Sequence, residues 1–374
     1  MINFIFSLII FAVILGILVL IHELGHFLAA KKAGIKVEEF GFGLPPKIKG
    51  FKRGETEYTL NWLPMGGFVK LLGEDDDEAS KDPRSFANKP PSVKALVILA
   101  GVLMNLVLAI VLYTIILGFN SFKADFNLII DQKFPFGHQT NSVFIGNITP
   151  GSAAESGGLK FADKVLSIDG ERIDSREELQ AIINTKKGQE TTFEVENINS
   201  KEKRTLKVTP KKDLKEGEKP LGVSLGVVAT VDYNRLSEKV LAGALHSINV
   251  ANYSFAVTSE LVRESLRTKQ IEPVAQGVSG PVGILNVVNL LVTSDGGILK
   301  IIELLPLISL SLAIFNVLPI PALDGGRLFF VLIELVSRKR VNPKLEKWVH
   351  SVGLIVLIGL FLLITYSDIL KIFS

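Results

Sequence analysis

Four stretches of this chain carry no charged residue: Ile2–Ile21, Ala95–Phe119, Leu304–Leu323 and the slightly shorter Ser351–Ser367. At roughly 20 residues per span, each approaches or reaches the length needed to cross a bilayer as a helix. The fold class this implies is a polytopic α-helical membrane protein with four transmembrane helices. The composition of the 374 residues, 48% hydrophobic and 21% charged, argues against a wholly soluble protein. A net charge of +3, from 41 basic and 38 acidic residues, is too small and too dispersed for a nucleic-acid partner.

Cysteine is absent. That removes disulfides, thiolate nucleophiles, iron–sulfur clusters and every zinc site built from Cys. A transition metal must then use imidazole and carboxylate, and the imidazoles are His22, His26, His138, His246 and His350. So short a supply also argues against a di-iron membrane oxidase.

The first apolar run has no basic residue before it and no small-residue cleavage site, so it is read as a retained span rather than a signal peptide. Lys and Arg in short loops favour the cytoplasm. Lys31–Arg53 carries seven basic residues against Glu38 and Glu39, and Arg327–Lys347 carries six against Glu334 and Glu346. Both loops are therefore expected inside, with both termini outside. The implied organisation is an N-terminal membrane part over 1–119, with helices at about 2–30 and 93–119 and a cytoplasmic β-region at about 36–74. A folded extracytoplasmic domain follows over 120–235, where alternating stretches such as Thr191–Val195 and Thr205–Val208 read as strands. A segment at 236–299 combines an amphipathic helix, Glu238–Arg267, with the uncharged stretch Gln276–Thr293. The Gly-Val-Ser-Gly-Pro-Val-Gly interruption makes that stretch membrane-adjacent or re-entrant rather than a regular span. A C-terminal membrane part covers 300–374, with helices at about 300–323 and 348–370. Tyr58–Glu74, punctuated by Pro-x-Gly-Gly at Pro64–Gly67, reads as a hairpin against the membrane, and the acidic run Glu74–Glu78 as a solvated loop.

His22-Glu23-Leu24-Gly25-His26 is an HExxH pattern on a predicted helix. Positions i and i+4 share a face, so both imidazoles address one metal while Glu23 stands beside them. Zinc fits best, being tetrahedral and content with nitrogen and oxygen ligands. Three polar side chains within an apolar helix are costly in hydrocarbon unless they meet a metal, water or each other. The third ligand is expected from a carboxylate or His that the topology brings to the same depth. Asp324 follows the third apolar stretch at its inside end, after Pro319 and Pro321, which interrupt a helix, and before Gly325 and Gly326, which allow a sharp turn. The alternative role for Asp324 is to cap a short helix beginning near Arg327.

These two motifs resemble those of the site-2 protease family, peptidase family M50, and within it the bacterial RseP-like branch. That family pairs HExxH with NxxPxPxLDG, which Asn316–Gly325 matches. The resemblance implies an intramembrane zinc metalloendopeptidase in which His22, His26 and Asp324 bind Zn2+ and Glu23 is the general base. Phe40–Glu74 resembles the family's membrane-associated β-region, which presents substrate as an added strand, and within it Gly66 and Gly67 are substrate-binding candidates. Ala100–Asn105 resembles an AGPxxN pattern with Val102 in place of proline. Asn147–Ala154 and Gly158–Gly170 resemble one α/β PDZ domain of the protease-associated type, with Ala162 where Gly is usual. Gly280 and Pro281 resemble the motif before the third core helix and are further substrate-binding candidates, as is Asn316, a hydrogen-bond donor to substrate backbone or oxyanion. The implied partners are single-pass membrane proteins, such as an anti-sigma factor or signal-peptide remnants, a peptide or domain at the PDZ, and the bilayer itself. His138, His246 and His350 are expected to be incidental. Two competing readings are a non-catalytic PDZ-bearing membrane receptor, which would need neither metal motif, and a zinc transporter, which would need ionisable residues continuing across the bilayer.

Overall fold

A computed structural model describes residues 2–74, 82–198, 201–214, 218–294 and 297–373. In chain order its elements are α1 (Ile2–Lys32), β1 (Val37–Arg53), β2 (Thr56–Leu71), α2 (Pro91–Phe119), β3 (Lys123–Leu128), β4 (His138–Ile148), α3 (Ala153–Ser156), β5 (Asp163–Ile168), β6 (Glu171–Arg172), α4 (Arg176–Thr185), β7 (Thr191–Asn197), β8 (Lys203–Val208) and β9 (Val223–Asp232). The helices α5 (Leu236–Val240), α6 (Ala242–Thr268), α7 (Glu272–Gly277), α8 (Pro281–Thr293), α9 (Gly297–Val317), α10 (Asp324–Ser337) and α11 (Pro343–Phe373) complete it. Two units form, one from 1–113 with 258–374 and the other from 114–257.

In the first unit, four helices among the described residues are long and apolar enough to cross a membrane: Asn3–Lys32, Pro91–Phe119, Leu299–Val317 and Pro343–Lys371. Their outward side chains, such as Phe6, Ile9, Val107, Ile355 and Leu363, are exposed leucines, isoleucines, valines and phenylalanines, a surface that suits an apolar surrounding such as lipid. Inward, Ile14 and Leu18 of α1 pack with Ile301 and Ile308 of α9, and Leu108 of α2 and Ile284 of α8 close around them. A second cluster, Ala30, Ile35, Val37, Leu71 and Val97, ties the end of α1 and the base of α2 to the β-region.

Each strand of that β-region bends, so the two pair along more than one seam. Lys47–Arg53 pairs with Thr56–Asn61, and the opening of β1 pairs with the end of β2 from Val37↔Leu71 to Phe42↔Gly67. Among the described residues, Gly67–Leu71 has a strand partner on one side only.

Two features differ from the sequence expectation. The third apolar stretch stays helical only to Val317 rather than Leu323, because Pro319 and Pro321 supply no backbone donor and restrict the residues before them. The expected loop at 327–347 is largely α10, a helix whose buried face includes Gly325, Gly326 and Val331. Gln276–Thr293, not expected as a regular span, forms the end of α7 and the 13-residue α8, too short to span. Of the acidic run, Asp75–Glu78 lies outside the described residues.

The second unit holds a sheet ordered β3-β9-β4-β5-β7-β8, with β6 against β5. Period-two alternation buries Val227, Ala229 and Val231 of β9 and Thr191, Phe193 and Val195 of β7. Helix α4 starts at Ser175, whose hydroxyl accepts from Glu178 N at 3.1 Å, and it buries Leu179 and Ile183 one turn apart. Asp163 is fully buried, and both its oxygens lie 2.6 Å from the guanidinium of Arg204. Ala162, beside it, has φ +65°, the left-handed conformation that explains why glycine is usual there.

Candidate metal centre

Helix α1 is uninterrupted through His22–His26, so the two imidazoles stand one turn apart, with ring centroids 4.8 Å apart and Nε2 atoms 3.2 Å apart. Asp324 opens α10, and its Oδ2 lies 3.0 Å from His22 Nε2 and 3.2 Å from His26 Nε2. The carboxylate thus turns toward α1 rather than capping a helix; Leu323 is the N-cap residue, with no side-chain bond. His22 is 8% exposed and Asp324 is half-buried.

Three lone-pair atoms facing one another at these distances require something positive between them. Tetrahedral bonds of about 2.0–2.1 Å place donor atoms roughly 3.3 Å apart, which the observed triangle nearly matches. His26 Nδ1 lies 2.9 Å from the carbonyl of Val97 on α2. As the donor in that bond, Nδ1 carries the proton and leaves the Nε2 lone pair free for a metal. Among the described residues, these three form the one cluster of His and carboxylates close enough to hold an ion. The donor set therefore fits zinc.

Two helix contacts shape the cluster. A Cβ on Gly101 of α2 would fall 2.3 Å from His26 Nε2, so the imidazole rests on bare backbone. Beside Asp324, Cβ atoms on Gly325 and Gly326 would fall 2.0 Å from Leu318 O and 2.5 Å from Ile320 O. The start of α10 is thereby folded tightly against the unwound chain after α9.

Glu23, His26 and Asp324 line a cavity of about 380 Å3, walled on one side by Phe68–Leu71 of β2. Gly67 lies against Glu23, whose Cγ would be 3.3 Å from a Cβ at that position. Gly66 sits next to it at φ +124°, in the bend of β2. Arg327 of α10 and Glu74 pair at the edge of the same cavity. Asn316 sits half-buried in the last turn of α9 and does not line this cavity. Gly280 and Pro281 do not line it either. They begin α8, where the amides of Gly280 and Gly283 donate to Asp368 of α11 at 2.9 and 2.8 Å.

Some residues at the site carry no sequence signal strong enough to find them. Lys94 of α2 and Glu334 of α10 form an ion pair at 3.1 Å, each side chain about one-tenth exposed. His350 of α11, expected to be incidental, bonds the turn just before Asp324. Asn105, one turn beyond Gly101, is fully buried with no hydrogen-bond partner for its side-chain amide, while its backbone carbonyl accepts from the Ser309 hydroxyl of α9 at 2.8 Å. The other two histidines belong to the second unit. There His246 lies 3.0 Å from the hydroxyl of Tyr233, and burial pushes its pKa down to about 4.

The pattern of peptidase family M50 matches residues 10–360. A protein of Clostridium perfringens provisionally named a zinc metalloprotease is 34% identical over 354 residues, covering 94% of this chain and 95% of its own. Zinc metalloprotease RasP of Geobacillus kaustophilus is 32% identical, with 98% of each chain covered. The regulator of sigma-W protease RasP of Bacillus subtilis is 28% identical over 99% of this chain and all of its own. With a match of this extent, and a donor set suited to the ion its relatives are named for, the chain belongs to peptidase family M50 and is a zinc metalloprotease.

Proposed function

We propose that this protein hydrolyses peptide bonds within or near the membrane-spanning segments of single-pass proteins, with His22, His26 and Asp324 as zinc ligands and Glu23 as general base. The observation that carries the reading is the convergence of the three donors on one point, with Glu23, His26 and Asp324 lining a cavity beside a one-sided strand, among helices of membrane length. When bound, zinc supplies a Lewis acid that polarises the scissile carbonyl and acidifies water. Glu23 takes the proton from the attacking water on a carboxylate oxygen and returns it to the departing amine nitrogen. The open edge of Gly67–Leu71 offers backbone donors and acceptors to an extended substrate, which must leave its helix before its carbonyl can be attacked. Gly66 and Gly67 keep that edge free of side chains, and Asn316 holds the unwound substrate beyond the cavity. Gly280 and Pro281 shape the segment that faces it.

The charge asymmetry of the loops supports an orientation with the β-region and metal centre toward the cytoplasm and the second unit outside, in a bacterial inner membrane. In that unit, α4 and the start of β9 line a cavity of about 350 Å3. A strand beside a helix across a groove suits an extended peptide, and this supports reading 120–235 as a PDZ domain that receives an extracytoplasmic peptide or domain. The name of the Bacillus relative, a regulator of sigma-W, makes an anti-sigma factor the first substrate to try.

The test is Glu23→Gln in purified protein given a single-span reporter. Zinc content should equal the wild type's while cleavage falls by about 10²-fold or more, the range general bases supply. Cleavage at the wild-type rate by that variant would remove Glu23 from the reaction.

A further inference from the structure

Asp324 is the one donor of the cluster that does not sit inside a continuous helix, so something must fix the turn that carries it. Ala322 has φ +75°, a conformation that a Cβ opposes. Its backbone N–H, freed from any helix by Pro321 and the break after Val317, donates to His350 Nδ1 at 2.9 Å. His350 lies in the second turn of α11, with its ring 5.7 Å from that of Phe330 on α10. One turn further along the same face, a Cβ on Gly353 would fall 2.2 Å from Pro321 Cβ and 3.0 Å from its carbonyl oxygen. The last helix thus touches Pro321–Ala322 twice, once with an acceptor and once with an absence of side chain.

We propose that His350 is a positioning residue for Asp324. By accepting the Ala322 N–H while Gly353 admits Pro321, it holds the strained turn that presents the carboxylate to His22 and His26. The bond requires a lone pair at Nδ1, so the ring carries its proton on Nε2, which is buried without a protein partner. A backbone amide left unpaired in this half-buried turn would favour rotation of Ala322 out of its left-handed conformation, and Asp324, two residues on, would move with it.

This inference rests on the zinc reading of the cluster, so the wild-type protein is measured first. Zinc affinity, by competition with a chromogenic chelator, is compared in full-length wild type, H350F, H350N and H350F/A322G. H350F keeps the ring beside Phe330 and removes the acceptor, and H350N restores an acceptor at a similar reach. A322G removes the strain that the bond offsets. We expect H350F to weaken zinc binding about 10-fold or more, the usual effect of losing a partner behind a ligand. H350N should stay within about 3-fold of wild type, and A322G should recover part of the loss. Wild-type affinity in H350F overturns the proposal, as does equal weakness of H350F and H350N. A general folding defect, which A322G would not repair, also counts against it. Failure of wild type itself to bind zinc overturns instead the assignment of the ligands.

Discussion

Gly101 and His26 are in direct contact across two helices: the imidazole Nε2 occupies space where any Cβ at position 101 would come within 2.3 Å. The ring cannot retreat, because its Nδ1 is bonded to Val97 O, one turn back on the same helix. Gly101→Ala must therefore rotate His26 or separate α1 from α2. Either movement takes Nε2 away from its two neighbours. Zinc affinity should fall about 10-fold or more, with cleavage following it, as a chelator titration and a reporter assay would read. An alanine variant with wild-type zinc retention would show that the helices yield without disturbing the cluster.

Metal removal should be reversible and should cost stability. An ion that binds only the folded state stabilises by about 2.7 kcal/mol at a hundred times its Kd. Chelation should lower the unfolding temperature of the wild type and readdition of zinc should restore it. Asp324→Ala should be insensitive to both treatments. Thermal unfolding of the two proteins with and without chelator is the measurement.

Four apolar stretches and the two motifs that the fold brings together are legible in the chain, because hydrophobic length and i, i+4 spacing are local properties that need no partner to be read. The end of α9 is not. Leu304–Leu323 is uncharged throughout, and only the Pro319-x-Pro321 spacing hints that the chain unwinds from Val317 onward. Gly101 carries no local sign of its reason, which is an imidazole on another helix. A histidine near the start of a span has many unremarkable uses, so His350 reads as incidental from the sequence alone. Its partner is a backbone amide, and backbone amides leave no trace in a sequence. Lys94 and Glu334 were hidden in the same way, being distant in sequence and paired only in the fold.

Ala162 sits at φ +65° where the motif usually has glycine. Ala162→Gly should relieve a left-handed strain of about 1–2 kcal/mol while adding freedom to the unfolded chain, for a net gain of about 0.5–1 kcal/mol. Asp163→Asn acts oppositely, leaving the guanidinium of Arg204 without its counter-charge in a buried site, and should cost about 3 kcal/mol or more. Unfolding in denaturant of the full chain, with a probe placed in the second unit, distinguishes the two signs.

His246 should make the second unit acid-sensitive. Its Nδ1 accepts the hydroxyl proton of Tyr233, which in turn accepts from Asn249 Nδ2 at 2.9 Å, so the neutral ring is the one that fits. Burial lowers its folded pKa to about 4, whereas an unfolded histidine titrates near 6.5. Below about pH 6.5 the unfolded chain takes up the proton first, so stability is fully present above that pH and falls toward pH 4 by up to ~3 kcal/mol. His246→Gln should flatten that part of the pH profile relative to wild type, as unfolding series between pH 7 and pH 4.5 would show.

His22 and His26 stand on α1 and Asp324 at the start of α10, with most of the helices and strands between them. During synthesis the three donors therefore cannot meet until α10 has been made. A chain released before that point would carry its paired imidazoles without the carboxylate, an inert passenger in the bilayer rather than unregulated scissors.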